Sequence, residues 1–291
     1  MISLFFSILA STLIFIVFKL FSKYNINTFQ AIVVNYIVAC ICGLLAYSGD
    51  LSIREIPGQP WFVYTLGLGI TFIVVFNLMA LTTQRSGLSV VSVATKMSLV
   101  IPVVFGLWYY KESLGIFKAT GIVLALVAVY FASIKNKDGL KIQRSNLIFP
   151  VLVFLGSGFI DTSIKYLENS YVATDEVPVF SATIFAAAGS LGLISLIFLA
   201  LKGSIRIDIK NIIGGIVLGV PNYFSVYFLV EALRSGMLES SGIFTVNNVA
   251  IVMLSTLVGI LLFKEKLIVK NWIGIIIAVV SILLITIDFN V

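Results

Sequence analysis

Ten apolar runs, each about 17–25 residues long, follow one another along the 291-residue chain with mostly short polar connections between them. They lie at about 2–18, 29–47, 61–81, 88–108, 114–133, 147–167, 177–201, 212–233, 240–263 and 271–287. At a rise of about 1.5 Å per residue, a helix of this length crosses a hydrocarbon layer about 30 Å thick. With 60% hydrophobic residues and only 11% charged ones, the chain carries far more apolar surface than a soluble core needs. The expected fold class is an all-α membrane protein with ten transmembrane helices, multi-pass in the cell (cytoplasmic) membrane with lipid around it. The connections at 50–60, Ser86-Gly87 and 203–211 carry the helix breakers.

The net charge of +6 does not point to nucleic acid, because the basic residues sit mostly in short connections, where they act as topology signals. Histidine is absent, which removes the commonest metal ligand and general base. Cys40 and Cys42 fall two apart in one apolar run and match no zinc, redox or disulfide spacing, so they read as small hydrophobes. No basic segment precedes the first run, which is therefore expected to be a transmembrane helix rather than a cleaved signal. No metal and no cofactor are expected.

The polar stretch at 135–145, with Lys135, Lys137, Lys141 and Arg144, divides the chain into halves at 1–134 and 146–291. The halves resemble each other. Ala80-Leu81 with Arg85-Ser86-Gly87 corresponds to Ala232-Leu233-Arg234-Ser235-Gly236. Tyr110-Lys111-Glu112-Ser113-Leu114, then Gly121, corresponds to Phe263-Lys264-Glu265-Lys266-Leu267, then Gly274. Ser11 and Lys19 align with Ser157 and Lys165. Five spans per half is an odd number, so the second half must insert upside down relative to the first: two inverted five-helix repeats.

Two such repeats, each with a Lys-Glu pair after its fourth span and a glycine nine residues beyond the Glu, resemble the EamA-type transporters of the drug/metabolite transporter superfamily. The resemblance covers nearly the whole chain. It implies a secondary transporter with a central cavity, often an exporter of amino acids or related metabolites, and does not imply a particular cargo. The halves differ at Pro102, whose counterpart is Ser255, so identical bends are not expected.

Orientation is read two ways. Assigning loops to alternate sides collects 13 lysines and arginines on the side of the central stretch and 4 on the other, which puts both termini outside the cell. The resemblance implies termini in the cytoplasm.

Lys96 stands near the middle of the fourth run, roughly 12 Å from its start, too deep for a lysine stem to snorkel. An unpaired cation there costs on the order of 2.5–3.5 kcal/mol, so it is expected to face protein, a watery cavity or an anionic ligand. Its alternatives are an anchor for a substrate carboxylate or phosphate, and a permanent pairing with an acid or a helix carbonyl such as that of Ser98, which Pro102 leaves without a donor. Asn247 and Asn248 align within two positions of Lys96 and are either further contacts or interhelical glue. Asn222, Tyr223 and Tyr227 follow Pro221 in a run that also holds Gly215 and Gly219, and interrupted helices of this sort mark transporter binding sites. Asn77 joins them as a substrate contact.

Asp161 and Lys165 are four apart and share a helix face. Either they neutralise each other, or Asp161, about 9 Å deep, is left to hold a proton or a substrate ammonium. Glu231 is a second proton-coupling candidate, against solvation or pairing with Arg234. The Lys111-Glu112 and Lys264-Glu265 pairs are expected to cap solvated helix ends. Trp61, Trp108, Tyr109, Tyr110 and Trp272 are expected to form interface belts.

The expected function is a secondary active carrier, an exporter of amino acids or similar metabolites, working by alternating access as a monomer or homodimer. Protons are the expected coupling ion, since no ATP-binding P-loop is present. The same fold with a nucleotide sugar or lipid-linked phosphate as cargo is an alternative, although phosphate wants more converging cations than Lys96 supplies. A scaffold without transport is a second alternative. Catalytic equipment is too scarce for a membrane enzyme to be expected.

Overall fold

A computed structural model describes residues 2–47, 49, 52, 54–86, 88–133, 147–203, 208–263 and 268–287. The described residues are all-helical apart from turns and connections. α1 (Ile2–Lys23), α2 (Thr28–Ala46), α3 (Phe62–Ser86), α4 (Leu88–Met97), α5 (Val100–Tyr109) and α6 (Ile116–Ser133) precede the central stretch. After it come α7 (Ile148–Tyr171), α8 (Val177–Leu201), α9 (Ile209–Arg234), α10 (Ser240–Phe263) and α11 (Val269–Ile287).

Helices stand at all ten apolar runs. Among the described residues, seven helices are long and apolar enough to cross a membrane, and three shorter apolar stretches lie at Val93–Tyr109, Ile116–Phe131 and Val269–Ile285. Bulky side chains such as Ile70, Ile194 and Ile276 are exposed on these helices. A soluble surface does not tolerate so many of them, but lipid does. The run at 88–108 is not one helix. It breaks at Ser98 and Leu99, because Pro102 has no N–H to continue the ladder. The Ser98 carbonyl is satisfied nonetheless by the Ile101 N–H at 2.9 Å, so it is not the open acceptor expected beside Lys96.

The chain forms two compact units. The first comprises Met1–Ile8, Val75–Thr162 and Glu231–Val291. Its core joins α6, α10 and α11 through Ala125, Ala128, Val129, Val249, Val252 and Ala278. The Ser281 hydroxyl donates to the Gly121 carbonyl at 2.8 Å, and an added Cβ on Gly121 would stand 2.6 Å from Ile285, so only glycine admits this approach of α6 to α11. A second cluster sets Val91 and Ala94 of α4 against Val153 of α7. Met97 of α4 packs against the first cluster, so both clusters hold the segment bearing Lys96.

The second unit comprises Leu9–Val74 and Ser163–Val230. Gly215 packs on Ala31 and Val34, and Gly219 on Asn35 and Val38, so α2 and α9 run in the same direction at close range. Gly43 meets Ala182, Gly189 meets Tyr36 and Gly192 meets Val33, which places α8 antiparallel on another side of α2. Trp61 is not part of an exposed belt: it is fully buried and donates through Nε1 to Glu176 Oε2 at 2.9 Å. Trp108 and Trp272 are exposed. Trp61→Phe removes this hydrogen bond and part of the buried ring volume, and is expected to lower stability by about 1–3 kcal/mol, measured by thermal melting of the detergent-solubilised protein.

Candidate functional site

Lys96 is the next-to-last residue of α4, two residues before the break at Ser98, and is buried at 8% exposure. Its Nζ donates to Asn248 Oδ1 at 3.1 Å. The Asn248 Nδ2 donates in turn to the Phe244 carbonyl of its own helix at 3.0 Å. The donor end of the amide is thus occupied by α10, and its acceptor end points at the cation.

Asp161, half-buried on α7, is within electrostatic reach of Lys96 in the same unit. Between the two sequence alternatives for this aspartate, the structure gives Lys165 another acid: Lys165 Nζ meets Glu168 Oε2 at 3.2 Å. Helical spacing brings an acid at i+3 within reach of Lys165 as readily as one at i−4.

Asn247, next to Asn248, accepts from Ser7 Oγ at 3.2 Å. Ser3, one turn earlier on α1, donates to Glu231 Oε2 at 3.3 Å. Neither serine was among the expected site residues. The stripe Ser3, Ser7 and Ser11 at four-residue spacing in an apolar helix was the available signal.

Lys96, Asp161, Asn247, Asn248, Glu231 and half-buried Asn77 all belong to the first unit, with contacts given above for the first five. Asn222, Tyr223 and Tyr227 belong to the second. There Asn222 is buried, and its Nδ2 has no partner among the described residues. The Tyr223 ring, fully buried, stacks on Tyr227 with centroids 5.8 Å apart.

Glu112 departs most from its expected role. It does not cap its own solvated helix end. Its side chain is 7% exposed, and both oxygens accept from the start of α10: Oε1 from the Ser240 N–H at 3.0 Å, Oε2 from the Ser241 N–H at 3.1 Å, and each also from the corresponding hydroxyl. Burial pushes the Glu112 carboxyl up, but the Ser240 and Ser241 hydrogen bonds and the Lys118 ammonium outweigh it and leave it below the ordinary carboxylate range. Its stabilising contribution is therefore present at neutral pH and is lost only as pH falls through that lowered value. The corresponding Lys264-Glu265 pair lies outside the described residues, as does the central basic stretch.

Among the described residues no group of three Cys, Asp or Glu side chains is set to hold a metal ion. Residues 1–134 match the EamA-like transporter family. An uncharacterized protein of Haemophilus influenzae (strain Rd) is 29% identical over 282 residues, with 94% of each chain covered. A protein crystal structure with 13% identity aligns over 99% of this chain and 96% of its own with a TM-score of 0.79, which shows that the fold is shared.

Proposed function

We propose that this membrane protein is a secondary active carrier that exports amino acids or similar small metabolites by alternating access. The single observation that carries the reading is Lys96: a lysine deep in an apolar segment, buried at 8% exposure, with Asn248 and Asp161 as partners. Ionisable groups at such depth are expensive and belong to pathways. A substrate carboxylate exchanges for Asp161 as the counter-charge of Lys96, while Asn248 and Asn247 orient it. The displaced aspartate takes either the substrate ammonium or a proton, which links the flux of the metabolite to that of protons.

Glu231, bonded to Ser3, is a second proton-accepting group in this scheme. Asn77, Asn222, Tyr223 and Tyr227 complete the set of proposed contacts. The ten apolar runs form the spans, as two inverted repeats over 1–134 and 146–291, in the cytoplasmic membrane. The unpartnered Asn222 amide supports a polar surface in the second unit.

The test is flux into proteoliposomes of the purified protein with labelled amino acids under an imposed pH gradient. Wild type is expected to move at least one amino acid and to respond to the gradient, and Asp161→Asn is expected to lose that response. A wild type that moves no amino acid removes the cargo. A gradient response that survives Asp161→Asn removes the coupling role.

A further inference from the structure

We propose that Glu112 is a positioning residue for the Lys96 site, acting through α10. The inference rests on the reading of Lys96 as the substrate anchor, but its geometry stands apart from it. α5 ends at Tyr109, and Lys111, in the left-handed region at φ 55°, turns the chain so that Glu112 lies back against α5. There its N–H reaches the Gly106 carbonyl at 3.4 Å. A Cβ on Gly106 would stand 3.0 Å from the carboxylate, so the glycine makes the seat that the side chain occupies.

From this seat Glu112 caps a helix 128 residues away in the chain. α10 has no acidic residue in its first turn, and Glu239 just before it is engaged elsewhere, accepting from the Ser113 N–H at 3.0 Å and from Lys118 Nζ. Lys118, buried at 2% exposure, also lies 3.6 Å from Glu112 and donates to the Ser113 carbonyl at 2.9 Å. One cation and two carboxylates thus join the α5–α6 connection to the start of α10. Helix starts favour such negative charge.

The consequence lies two turns further on. Ser240 and Asn247, like Ser241 and Asn248, are seven residues apart, and seven steps of about 100° return within about 20° of the same direction. The clasp that fixes the azimuth of the two serines therefore fixes that of the two asparagines. Of these, Asn248 holds Lys96 and Asn247 meets Ser7. Rotating α10 at its start would turn both amides away from their partners at once.

Glu112→Gln keeps the shape but replaces one acceptor oxygen with an amide nitrogen that faces two donors. Two readouts test the proposal. In the first, the full-length protein in detergent is treated with a small amine-reactive reagent, and modification is followed lysine by lysine by mass spectrometry. Lys96 is expected to be protected in wild type and modified several-fold faster in Glu112→Gln, while Lys165 and Lys210 react as before. Ser241→Ala, which removes only a hydroxyl donor, is expected to move Lys96 in the same direction and serves if Glu112→Gln does not fold.

In the second, transport rates are measured for Glu112→Gln, Asn248→Ala and the double variant. Glu112→Gln alone is expected to cost about tenfold and to add little in the Asn248→Ala background, because both act on one contact. Unchanged Lys96 modification in both variants, or losses that simply multiply, would overturn the proposal. If wild type moves no amino acid, the carrier reading fails while the modification experiment still decides the positioning.

Discussion

Replacing Lys96 by alanine is expected to bring amino-acid flux down to that of empty vesicles. The cation is the only group in its cluster able to hold a carboxylate by charge; Asn247 and Asn248 offer only neutral dipoles. Its removal also leaves Asp161 without the cation it interacts with and Asn248 Oδ1 without its donor. Removing a buried cation from its amide partner and from the acid in its electrostatic reach also lowers stability, so unfolding must be separated from loss of the anchor. A second variant separates the two. Lys96→Met combined with Asp161→Asn removes both charges at nearly constant volume, and is expected to melt closer to wild type than Lys96→Ala while still failing to transport. Lys96→Arg keeps the charge but carries it on a planar fork longer than the site was built for, and is expected to retain only part of the flux. Wild-type flux in Lys96→Met, or full flux in the charge-free double variant, would show that the ammonium does not hold the cargo.

The places where sequence and structure agree share a physical cause. α8 and α10 occupy 177–201 and 240–263 as the apolar runs predict. In each, polar residues or a proline bound the run abruptly, so hydrophobicity and helix punctuation coincide. α1 continues past its apolar run to Lys23, because lysine is a good helix former and its stem can lie along the apolar face. Lys96 stands out in the sequence for the same reason that it matters in the fold, since no cheap arrangement exists for a cation in hydrocarbon.

What the sequence left undecided is which partner each charge takes. Lys165 had acids at both i−4 and i+3, and nothing local chooses Glu168 over Asp161. Glu112 lies 128 residues from the helix it caps, so its role follows from the meeting of α5 and α10 and from no motif. The break at Ser98 and Leu99 is foreshadowed by Pro102, but the Ile101 N–H that rescues the Ser98 carbonyl depends on the turn actually adopted. Trp61 reads as a belt residue by its place at the edge of a run, and is buried instead because Glu176 offers it a hydrogen bond there.

In the second unit, Gly215→Ala and Gly219→Ala together are expected to destabilise the protein, which reverses the usual sign. In an open helix position, alanine is better than glycine by about 0.5–1 kcal/mol, because it restricts the unfolded chain. Here an added Cβ on Gly215 would stand 2.6 Å from the Ala31 carbonyl oxygen, and one on Gly219 would stand 2.8 Å from that of Asn35. These are backbone atoms of α2, which cannot swing aside as a side-chain tip can, so α2 and α9 must separate along their shared face. Overpacking of this kind costs about 1–3 kcal/mol, enough to outweigh the propensity gain. Membrane helices also depend on close approach through small residues, since no hydrophobic force between them compensates for a widened contact. Gly67 on α3 supplies the control: nothing lies within 4 Å of a Cβ added there, so Gly67→Ala is expected to melt at or above the wild-type temperature. Thermal melting of the three proteins in one detergent measures the difference. If the Gly215→Ala and Gly219→Ala double variant melted above wild type as the control does, α2 and α9 would not be in backbone contact, and the second unit would not be held together in the way described.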